Sequence, residues 1–461
     1  SSLAIPTAKE WRKRRIYQLL TDRFAAFDED KKPCDQVSQL YSYCGGTFAA
    51  VASKLDYIKS LGYNAIWISP TVEQTENNKT AYHGYWFSDL FATNSYFGSA
   101  DDLKSLISEC HKRDIWVMAD VVYNHMGYCS GGKMDQSCVK TFHEPAHYHP
   151  YCDIQDWNDP KQVMNCRLAG LPDLDQQNPF VLKTLLDWTT WYMNEFKFDG
   201  VRIDTVKHVQ HEFWQELRKI SPWFQLAEIW DLNIDLLKSF TNDKELYSTM
   251  NYPMQNDIKF IMGGSNSFWD MHTHFQQMAE AFGDRQHDLG VFFENHDNQR
   301  FLWDHNDLVK FEAALVLIHT WIGIPILYYG AEQDLTGSFD PDCRRPLWNY
   351  GYSTESPRFK LLQRLNRLRE KLPFDTLDQR EISLDDHHYA FTRGNRALVV
   401  LNNLGKQGWT QQHRLQTPFS SNAQVCDYLT GECLNVGTDG KIDVVLHDGQ
   451  CRIYVLQKDM E

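Results

Sequence analysis

The sequence predicts an α/β protein: a (β/α)₈ TIM barrel, with a domain inserted after its third strand and an antiparallel β-sandwich at its C-terminal end. Eight short, β-rich runs alternate with amphipathic helical patterns from residue 15 onward. A long stretch without helical period interrupts this alternation after the third run, and short alternating strand patterns follow the last helix. Because barrel strands end around one mouth, residues just after the runs are candidate functional residues.

The elements follow one another in a regular order along the chain. The eight runs with strand character occupy residues 16–20, 65–69, 116–122, 201–204, 224–228, 247–250, 291–294 and 326–329. The helical segments between and after them include residues 51–61, 100–112, 179–196, 308–321 and 358–371. The apolar residues of the last segment fall on one stripe, as in a helix that packs on a sheet.

Two regions depart from the barrel pattern. Residues 123–177 are rich in Gly, Cys and His and lack helical period, so we predict an inserted domain there. The barrel then comprises residues 1–122 and 178–375. In residues 376–461, alternating apolar runs are separated by turn residues, which is typical of an antiparallel sandwich.

Charge and composition exclude several classes of partner. The 461 residues carry a net charge of −15, from 46 basic and 61 acidic side chains, which disfavours nucleic acid and anionic membranes as partners. The longest apolar candidate, residues 311–330, contains Glu312, His319 and Pro325, so we predict no membrane span. The first residues lack a charged-then-apolar leader, and we expect that any signal peptide has been removed. We expect a monomer.

Eleven cysteines indicate an oxidising compartment, so the sequence predicts a secreted, extracellular protein. Three pairs each bracket a short polar loop, and we predict disulfides between them: Cys34 and Cys44, Cys129 and Cys138, and Cys152 and Cys166. Cys110 falls on an apolar helical face and is predicted to be a buried free thiol. Cys426, Cys433 and Cys451 cannot all pair with one another, and the sequence leaves their pairing open.

The fourth run carries the first candidate for chemistry. The strand period of two puts Arg202 and Asp204 on one face, where the guanidinium should lower the pKa of the carboxyl group and favour its ionised form. A purely structural ion pair is the alternative. Glu228 follows the fifth run and Asp297 the seventh, so the barrel should bring three acids together. Paired carboxylates are what a retaining glycosidase requires.

Five segments carry a family resemblance. They read DVVYNH at residues 120–125, GVRID at 200–204, EIW at 228–230, FENHD at 293–297 and LPDLD at 171–175. In this order and spacing they resemble the alpha-amylase family of glycoside hydrolases, most closely the secreted alpha-amylases of fungal type. The resemblance covers nearly the whole chain. It implies a (β/α)₈ barrel, an inserted calcium-binding domain and a C-terminal β-sandwich.

The resemblance also implies a role for each matching residue. Asp204 would be the nucleophile, Glu228 the general acid/base, and Asp297 a third acid that positions sugar hydroxyls. The implied sugar-binding residues are His83, Tyr85, Trp86, His125, Arg202, Lys207, His208, His296, Asp340 and Arg344. An aromatic core cluster is the alternative for the segment around Tyr85. Cys343 and Arg345 alter the loop that carries Asp340, which puts its sugar contacts in question.

A calcium ion is expected to join the insertion to the barrel. Asn124 and Asp173 offer side-chain oxygens, and the resemblance assigns backbone carbonyl ligands to His208 and to a residue near Met164. Zinc bound by the His208 imidazole is the competing possibility, but no Cys/His cluster at zinc spacing accompanies it. A capping role for Asn124 with Asp173 as a surface acid is the structural alternative.

The expected function is endo-hydrolysis of α-1,4-glucosidic bonds in starch, glycogen and malto-oligosaccharides. An exo-acting α-glucosidase or a glucan-transferring enzyme on the same barrel is the first alternative. A non-catalytic binding protein is the second, and it predicts the loss of at least one acid, whereas all three are present. Asn78 begins an N-glycosylation sequon close to the expected substrate loop.

Overall fold

A computed structural model describes residues 4–75 and 80–460. Asn78 lies outside the described residues. The strands before residue 375 are β1 Ile16–Leu19, β2 Ala65–Ile68, β3 Val72–Gln74, β4 Phe87–Thr93, β5 Trp116–Val121, β6 Gly200–Ile203, β7 Phe224–Ala227, β8 Ser248–Thr249, β9 Gly290–Val291 and β10 Ile324–Tyr328.

Eight of these described strands form the predicted barrel. They are parallel, in the order β8-β7-β6-β5-β2-β1-β10-β9, and a parallel bridge between Met250 and Gly290 joins the two ends. Their residues are nearly all buried, as expected for strands covered by helices outside and by packed side chains inside. The antiparallel pair β3–β4 projects from the barrel beside the insertion. The predicted fold class is confirmed.

The helices lie between the strands, close to the predicted positions. They are α1 Ala8–Trp11, α2 Thr21–Phe24, α3 Phe48–Ser53, α4 Leu55–Leu61, α5 Ala100–Lys112, α6 Pro160–Asn165, α7 Pro179–Phe196, α8 His211–Ile220, α9 Ile234–Phe240, α10 Tyr252–Met262, α11 Phe268–Phe282, α12 Phe301–Asp304, α13 Leu308–Thr320 and α14 Pro357–Lys371. Local chemistry sets their ends: Asn178 caps α7 beside Pro179, and Lys197 ends it in the left-handed region at φ 63°.

The bounds of several predicted elements need correction. The predicted helix 51–61 is broken at Lys54, whose φ of −111° and ψ of 8° leave the α-helical region. The predicted strand 291–294 is a strand only at β9. The chain turns early there because the Glu294 carboxylate accepts hydrogen bonds from the Phe301 backbone N–H at 2.8 Å and from Arg300 at 3.1 Å.

The segment after β5 has little regular structure. Isolated antiparallel bridges pair His125 with Asp173 and Tyr148 with Leu174, so the returning chain lies beside the end of β5. Disulfides link Cys129 to Cys138 and Cys152 to Cys166. These covalent links restrict loops whose apolar core is small. The segment forms one wall above the barrel mouth.

The C-terminal region is antiparallel. Its strands are β11 Gln379–Leu384, β12 His388–Arg393, β13 Ala397–Asn402, β14 Gln411–Gln416, β15 Gln424–Asp427, β16 Cys433–Asn435, β17 Lys441–Leu446 and β18 Arg452–Leu456. One sheet has the order β11-β12-β13-β18-β15-β16, and β14 pairs with β17. Leu415 and Val444 of this pair share a buried cluster with Leu398 and Val400 of the larger sheet, which makes a two-layer sandwich.

The cysteines follow the predicted framework. The Cys34–Cys44 disulfide forms along with the two of the insertion, and the open pairing resolves as Cys426 with Cys433. Among the described residues the free thiols are the predicted Cys110 together with Cys343 and Cys451, all buried. In the described ranges no helix combines the length and apolar character that crossing a membrane requires.

The buried His319 on α13 predicts an acid-sensitive fold. Its Nδ1 lies 2.7 Å from the Leu315 carbonyl and its Nε2 lies 2.8 Å from the Tyr63 hydroxyl. Burial lowers the pKa of His319 to about 3. Between that value and about 6.5 the unfolded chain binds a proton that the folded chain does not, so stability falls as pH falls through this window.

The unfolding free energy of the parent should fall as pH falls from about 6.5 to about 4. We expect His319→Gln to reduce the slope of this fall by ~1.4 kcal/mol per pH unit, which corresponds to one proton. Urea unfolding at several pH values measures this slope. His143, whose side chain is 60% exposed, provides the matched control His143→Gln, which should leave the slope unchanged. Equal slopes for the parent and His319→Gln would contradict the assignment.

Candidate active site

The predicted acids Asp204 and Glu228 lie one residue beyond neighbouring strands. β6 and β7 are parallel with Ile203 opposite Ala227, so the two acids leave the barrel side by side. The backbone N–H of Asp204 donates to the Val121 carbonyl at 2.9 Å, and that of Glu228 donates to the Ile203 carbonyl at 2.8 Å. Both side chains are therefore fixed to the barrel rim by the strand hydrogen bonds below them.

Arg202 joins three carboxylates beneath the mouth of the barrel. Its Nη1 lies 2.8 Å from Asp120 and 2.9 Å from Asp204, and its Nη2 lies 2.8 Å from Glu228. The guanidinium is fully buried. Asp120 stands opposite Arg202 in the register between β5 and β6, which explains their contact. A buried cation requires such partners, because an unpaired charge in this environment is very costly.

The ionisation of this cluster differs from the sequence prediction. Burial, and then the negative charge of Glu228, raise the pKa of Asp204, and Arg202 opposes this rise without reversing it. Burial likewise raises the pKa of Asp120 to about 6, and the charge of Arg202 offsets only part of this rise. The predicted net lowering of the pKa at Asp204 is thus wrong, because burial and the charge of Glu228 together outweigh the effect of Arg202. Such a cluster retains a proton more readily than isolated carboxyl groups do.

Glu228 is contacted on both of its oxygens. The backbone N–H of Thr205 donates to Oε2 at 3.0 Å, and the hydroxyl of Tyr252 donates to Oε1 at 3.2 Å. Thr205 adopts φ 52°, which is uncommon for a residue other than Gly. This conformation turns the chain immediately after Asp204 so that its next N–H group reaches the neighbouring acid. Neither Thr205 nor Tyr252 was among the sequence predictions.

Asp297 is held by a different set of groups. Arg344 Nη2 lies 3.1 Å from one of its oxygens, and His296 Nε2 lies 3.2 Å from the other. The same Arg344 contacts Asp340 at 3.0 Å, so these two predicted residues lie together beside Asp297. Burial, and then the positive charge of Arg344, lower the pKa of His296, so its imidazole is neutral.

The predicted aromatic segment lies over the same mouth. The Tyr85 hydroxyl is 2.7 Å from both Asp120 and His296 Nε2, and the Tyr85 ring lies nearly parallel to that of His296. The His83 ring packs against the Trp86 ring, with ring centroids 4.9 Å apart. His125 Nε2 is 3.2 Å from the Tyr85 carbonyl.

A second group of residues lies next to Glu228. Lys207 Nζ donates to the Trp230 carbonyl at 2.6 Å, and the His208 ring meets Trp157 edge to face at 6.0 Å. Trp157 and Trp230 are 57% and 49% exposed, so large indole surfaces face the solvent here. Neither tryptophan was among the predicted cleft residues.

One cleft of about 610 Å³ collects these side chains. Asp204, Glu228 and Asp297 line it, and so do all the predicted sugar-binding residues except Arg202, which lies beneath its floor. The insertion supplies further lining residues that sequence reasoning missed, namely Trp157, Leu168, Ala169 and Leu171. Asp120 was also missed as a site residue, although it stands in the DVVYNH segment. The strand register that places it opposite Arg202 is not specified by the sequence pattern.

The residues predicted to bind calcium lie at the edge of this cleft. One atom of the Asn124 side-chain amide is 3.1 Å from Asp173 Oδ1 and 3.0 Å from the His208 backbone oxygen. The other Asp173 oxygen accepts from His149 Nδ1 at 2.7 Å. The Met164 backbone oxygen accepts from Gln210 at 3.0 Å. Asn124, Asp173 and His208 therefore converge, while Met164 has a partner within the protein.

Comparison with known proteins identifies the fold and its relatives. The catalytic-domain model of the alpha-amylase family matches residues 18–371, and the alpha-amylase domain C model matches residues 381–461. An alpha-amylase of Saccharomycopsis fibuligera is 34% identical over 465 residues, which cover 98% of this chain and 93% of that protein. The structure of an alpha-amylase from Malbranchea cinnamomea superimposes with a TM-score of 0.93 at 31% identity, covering 99% of this chain and 98% of that one.

A bacterial structure extends the comparison to a bound ligand. The alpha-amylase of Geobacillus thermoleovorans, solved in complex with acarbose, has a TM-score of 0.85 at 30% identity. The alignment covers 97% of this chain and 99% of that one.

The three-acid arrangement around Arg202 predicts a strong effect of Asp120→Asn. The amide has nearly the same shape but no charge, so Arg202 loses a buried partner, and we expect a loss of about 3 kcal/mol of unfolding free energy. Hydrolysis of starch should fall as well, because Arg202 then moves relative to Asp204 and Glu228. Thermal melts and initial rates measure both effects. The control is Asp114→Asn, which removes the charge of an exposed carboxylate paired with Arg14. Similar small effects in both variants would contradict the prediction.

Proposed function

The chain belongs to the alpha-amylase family of glycoside hydrolases, and we propose that it cleaves internal α-1,4-glucosidic bonds of starch, glycogen and malto-oligosaccharides. The observation that carries this proposal is the pair of acids on adjacent strand ends, Asp204 and Glu228, which share the buried Arg202 at the floor of one cleft. A retaining glycosidase needs two closely spaced carboxyl groups in different states of protonation.

In the proposed reaction the Asp204 carboxylate attacks the anomeric carbon while protonated Glu228 donates its proton to the departing glycosidic oxygen. The C–O bond to the leaving sugar breaks and an ester to Asp204 forms. Glu228, now ionised, takes a proton from water, and that water opens the ester. The two displacements at one carbon give net retention.

The remaining predicted residues have roles that fit their positions. We assign Asp297 and the neutral His296 to the hydroxyl groups of the sugar at the cleavage point, since both face the cleft beside Asp204. His125 contacts the same region, while Tyr85 and Trp86 offer ring surfaces for stacking. Asp340 and Arg344 would bind further toward the non-reducing end, with His83 beside them. Lys207 and His208, next to Glu228, would bind the leaving-group side.

Cleavage at internal bonds is favoured over exo-action by the lining of the cleft. Sugar-binding candidates occur on the Asp297 side and also on the Glu228 side, where Trp157 and Trp230 add exposed indole rings. An enzyme that removes terminal sugars needs a site closed at one end. Glucan transfer by the same acids stays the alternative, because the ester could pass to a sugar acceptor. Disulfides in all three regions support a secreted, extracellular enzyme. We propose that it is a monomer.

The residues at the edge of the cleft fit a calcium ion. If the Asn124 amide oxygen faces Asp173 and His208, it lies 3.1 Å from the Asp173 oxygen and 3.0 Å from the His208 backbone oxygen, and such oxygens are the ligands that a hard cation takes. In the opposite orientation the amide nitrogen donates to both. In the described ranges no three His, Cys, Asp or Glu side chains group as metal ligands, so an ion here depends on amide and backbone oxygens. We propose that Asn124, Asp173 and the His208 carbonyl hold Ca²⁺, with the Met164 carbonyl as a further ligand if Gln210 releases it.

The nucleophile assignment predicts that Asp204→Asn folds normally yet loses about three orders of magnitude or more in starch hydrolysis, because an amide does not form the glycosyl ester. Thermal melts and reducing-sugar release measure this. With the parent enzyme, proton NMR of fresh hydrolysate should show the α-anomer first. The β-anomer appearing first, or substantial activity of the variant, would remove Asp204 from this role.

The calcium assignment predicts that the melting temperature rises with free calcium and falls in excess chelator, with about 2.7 kcal/mol of stabilisation at 100 times the dissociation constant. Asp173→Asn should weaken this response. Asp153→Asn, at an exposed acid of the same insertion, is the control and should keep it. Elemental analysis that finds no calcium, together with melts that ignore it, would exclude the site.

A further inference from the structure

Tyr252 lies behind Glu228 in a position that the proposed mechanism has not used. It is the first residue of α10, directly after β8, and its side chain is fully buried. Its hydroxyl donates to Glu228 Oε1 at 3.2 Å and accepts from Asn295 Nδ2 at 3.3 Å. Burial, and then the negative charge of Glu228, raise the pKa of Tyr252, so the hydroxyl keeps its proton and acts as a donor.

The ring of Tyr252 is fixed from two directions. Trp230 lies almost parallel to it, with ring centroids 5.6 Å apart and an interplanar angle of 11°. Phe292 meets it edge to face at 5.1 Å. Trp230 is half exposed and lines the cleft, so the same indole forms the cleft wall and supports Tyr252. A side chain held in this way has little freedom to rotate its hydroxyl away from Glu228.

Asn295 links Tyr252 to the backbone of Asp297. Its Oδ1 accepts from the Asp297 backbone N–H at 3.0 Å and from the Asn298 side chain at 2.6 Å. Glu228 and the chain segment of Asp297 are therefore connected through Tyr252 and Asn295. Without this connection, Glu228 would be oriented by Arg202 and by the Thr205 N–H group alone.

We propose that Tyr252 is a positioning residue for the general acid/base: its hydroxyl, supported by Trp230 and Asn295, holds Glu228 in the orientation that delivers a proton to the glycosidic oxygen. This inference rests on the proposed function, since it gives Glu228 the role of proton donor. Tyr252 acts through Glu228 and itself touches no substrate. The orientation matters for proton transfer because a donor must lie within hydrogen-bond reach of the leaving oxygen.

The decisive variant is Tyr252→Phe, which removes one oxygen and retains the ring between Trp230 and Phe292. We expect kcat/KM on starch to fall about tenfold to a hundredfold, the usual size of a lost hydrogen bond to a charge, here the one that develops on Glu228 as its proton leaves. On a dinitrophenyl maltoside, whose leaving group departs without protonation, kcat/KM should change less than about twofold. Loss on both substrates in equal measure would indicate a structural role and overturn the proposal, as would no loss on starch.

Two controls make the comparison specific. Tyr192→Phe removes another buried hydroxyl, which contacts Thr71 on the outer side of the barrel, and should leave both substrates unaffected. If Tyr252→Phe does not fold, Trp230→Ala removes the ring that supports Tyr252 and should lower the activity on starch relative to that on the dinitrophenyl maltoside. Trp230→Phe keeps an aromatic ring there and should partly restore this ratio. No change of that ratio in Trp230→Ala would then overturn the proposal.

Glu228→Gln, measured in parallel, separates this inference from the function beneath it. If Glu228→Gln loses starch hydrolysis but retains activity on the dinitrophenyl maltoside, Glu228 is the proton donor. The behaviour of Tyr252→Phe then tests only the positioning role. If Glu228→Gln retains starch hydrolysis, the proposed mechanism fails first, and the role proposed for Tyr252 fails with it.

Discussion

The burial of Arg202 is the constraint on which the active site depends. A guanidinium removed from water must be surrounded by acceptors, and the barrel supplies carboxylates on three adjacent strands, β5, β6 and β7. Parallel pairing without gaps brings Asp120 opposite Arg202 and puts Asp204 beside Glu228. The chemistry and the fold are therefore difficult to separate: a slip of one residue in this register would direct the acids away from the barrel interior and leave the cation without partners.

The parts of the site that the sequence predicted are those that depend on strand position. Asp204 and Glu228 follow buried β-rich runs, and a barrel necessarily collects the ends of such runs at one mouth. The cysteine loops were predictable for a similar reason, because Cys34 and Cys44, for example, lie close along the chain. Cys426 pairs with Cys433 because β15 and β16 are antiparallel neighbours, a register that the alternating pattern alone did not reveal.

What could not be predicted depends on contacts between distant segments. The contact of Tyr252 with Glu228 depends on how the start of α10 lies beside the end of β7. The contact of Asp120 with Arg202 depends on the register between β5 and β6. The left-handed φ of Thr205 has no signal in a residue type that rarely adopts it. The net pKa direction at Asp204 failed for a related reason. A single Arg–Asp pair predicts a lowered pKa, whereas burial and a second carboxylate raise it.

The same electrostatics accounts for the change of role that retention requires. Before reaction, the negative charges of the cluster exceed the single charge of Arg202, so the cluster binds a proton, which is available for the leaving group. Formation of the ester at Asp204 neutralises one carboxylate and lowers the affinity of the remaining acids for a proton. The group that has just given up its proton therefore stays ionised and can take a proton from the attacking water, and breaking the ester restores the original charge and the original proton affinity. Arg202 stays charged throughout, because its pKa is raised well above its ordinary value by the acids around it, chiefly Asp120, in spite of its burial. A fixed cation among acids whose total charge changes during the reaction thus allows one residue to serve first as acid and then as base.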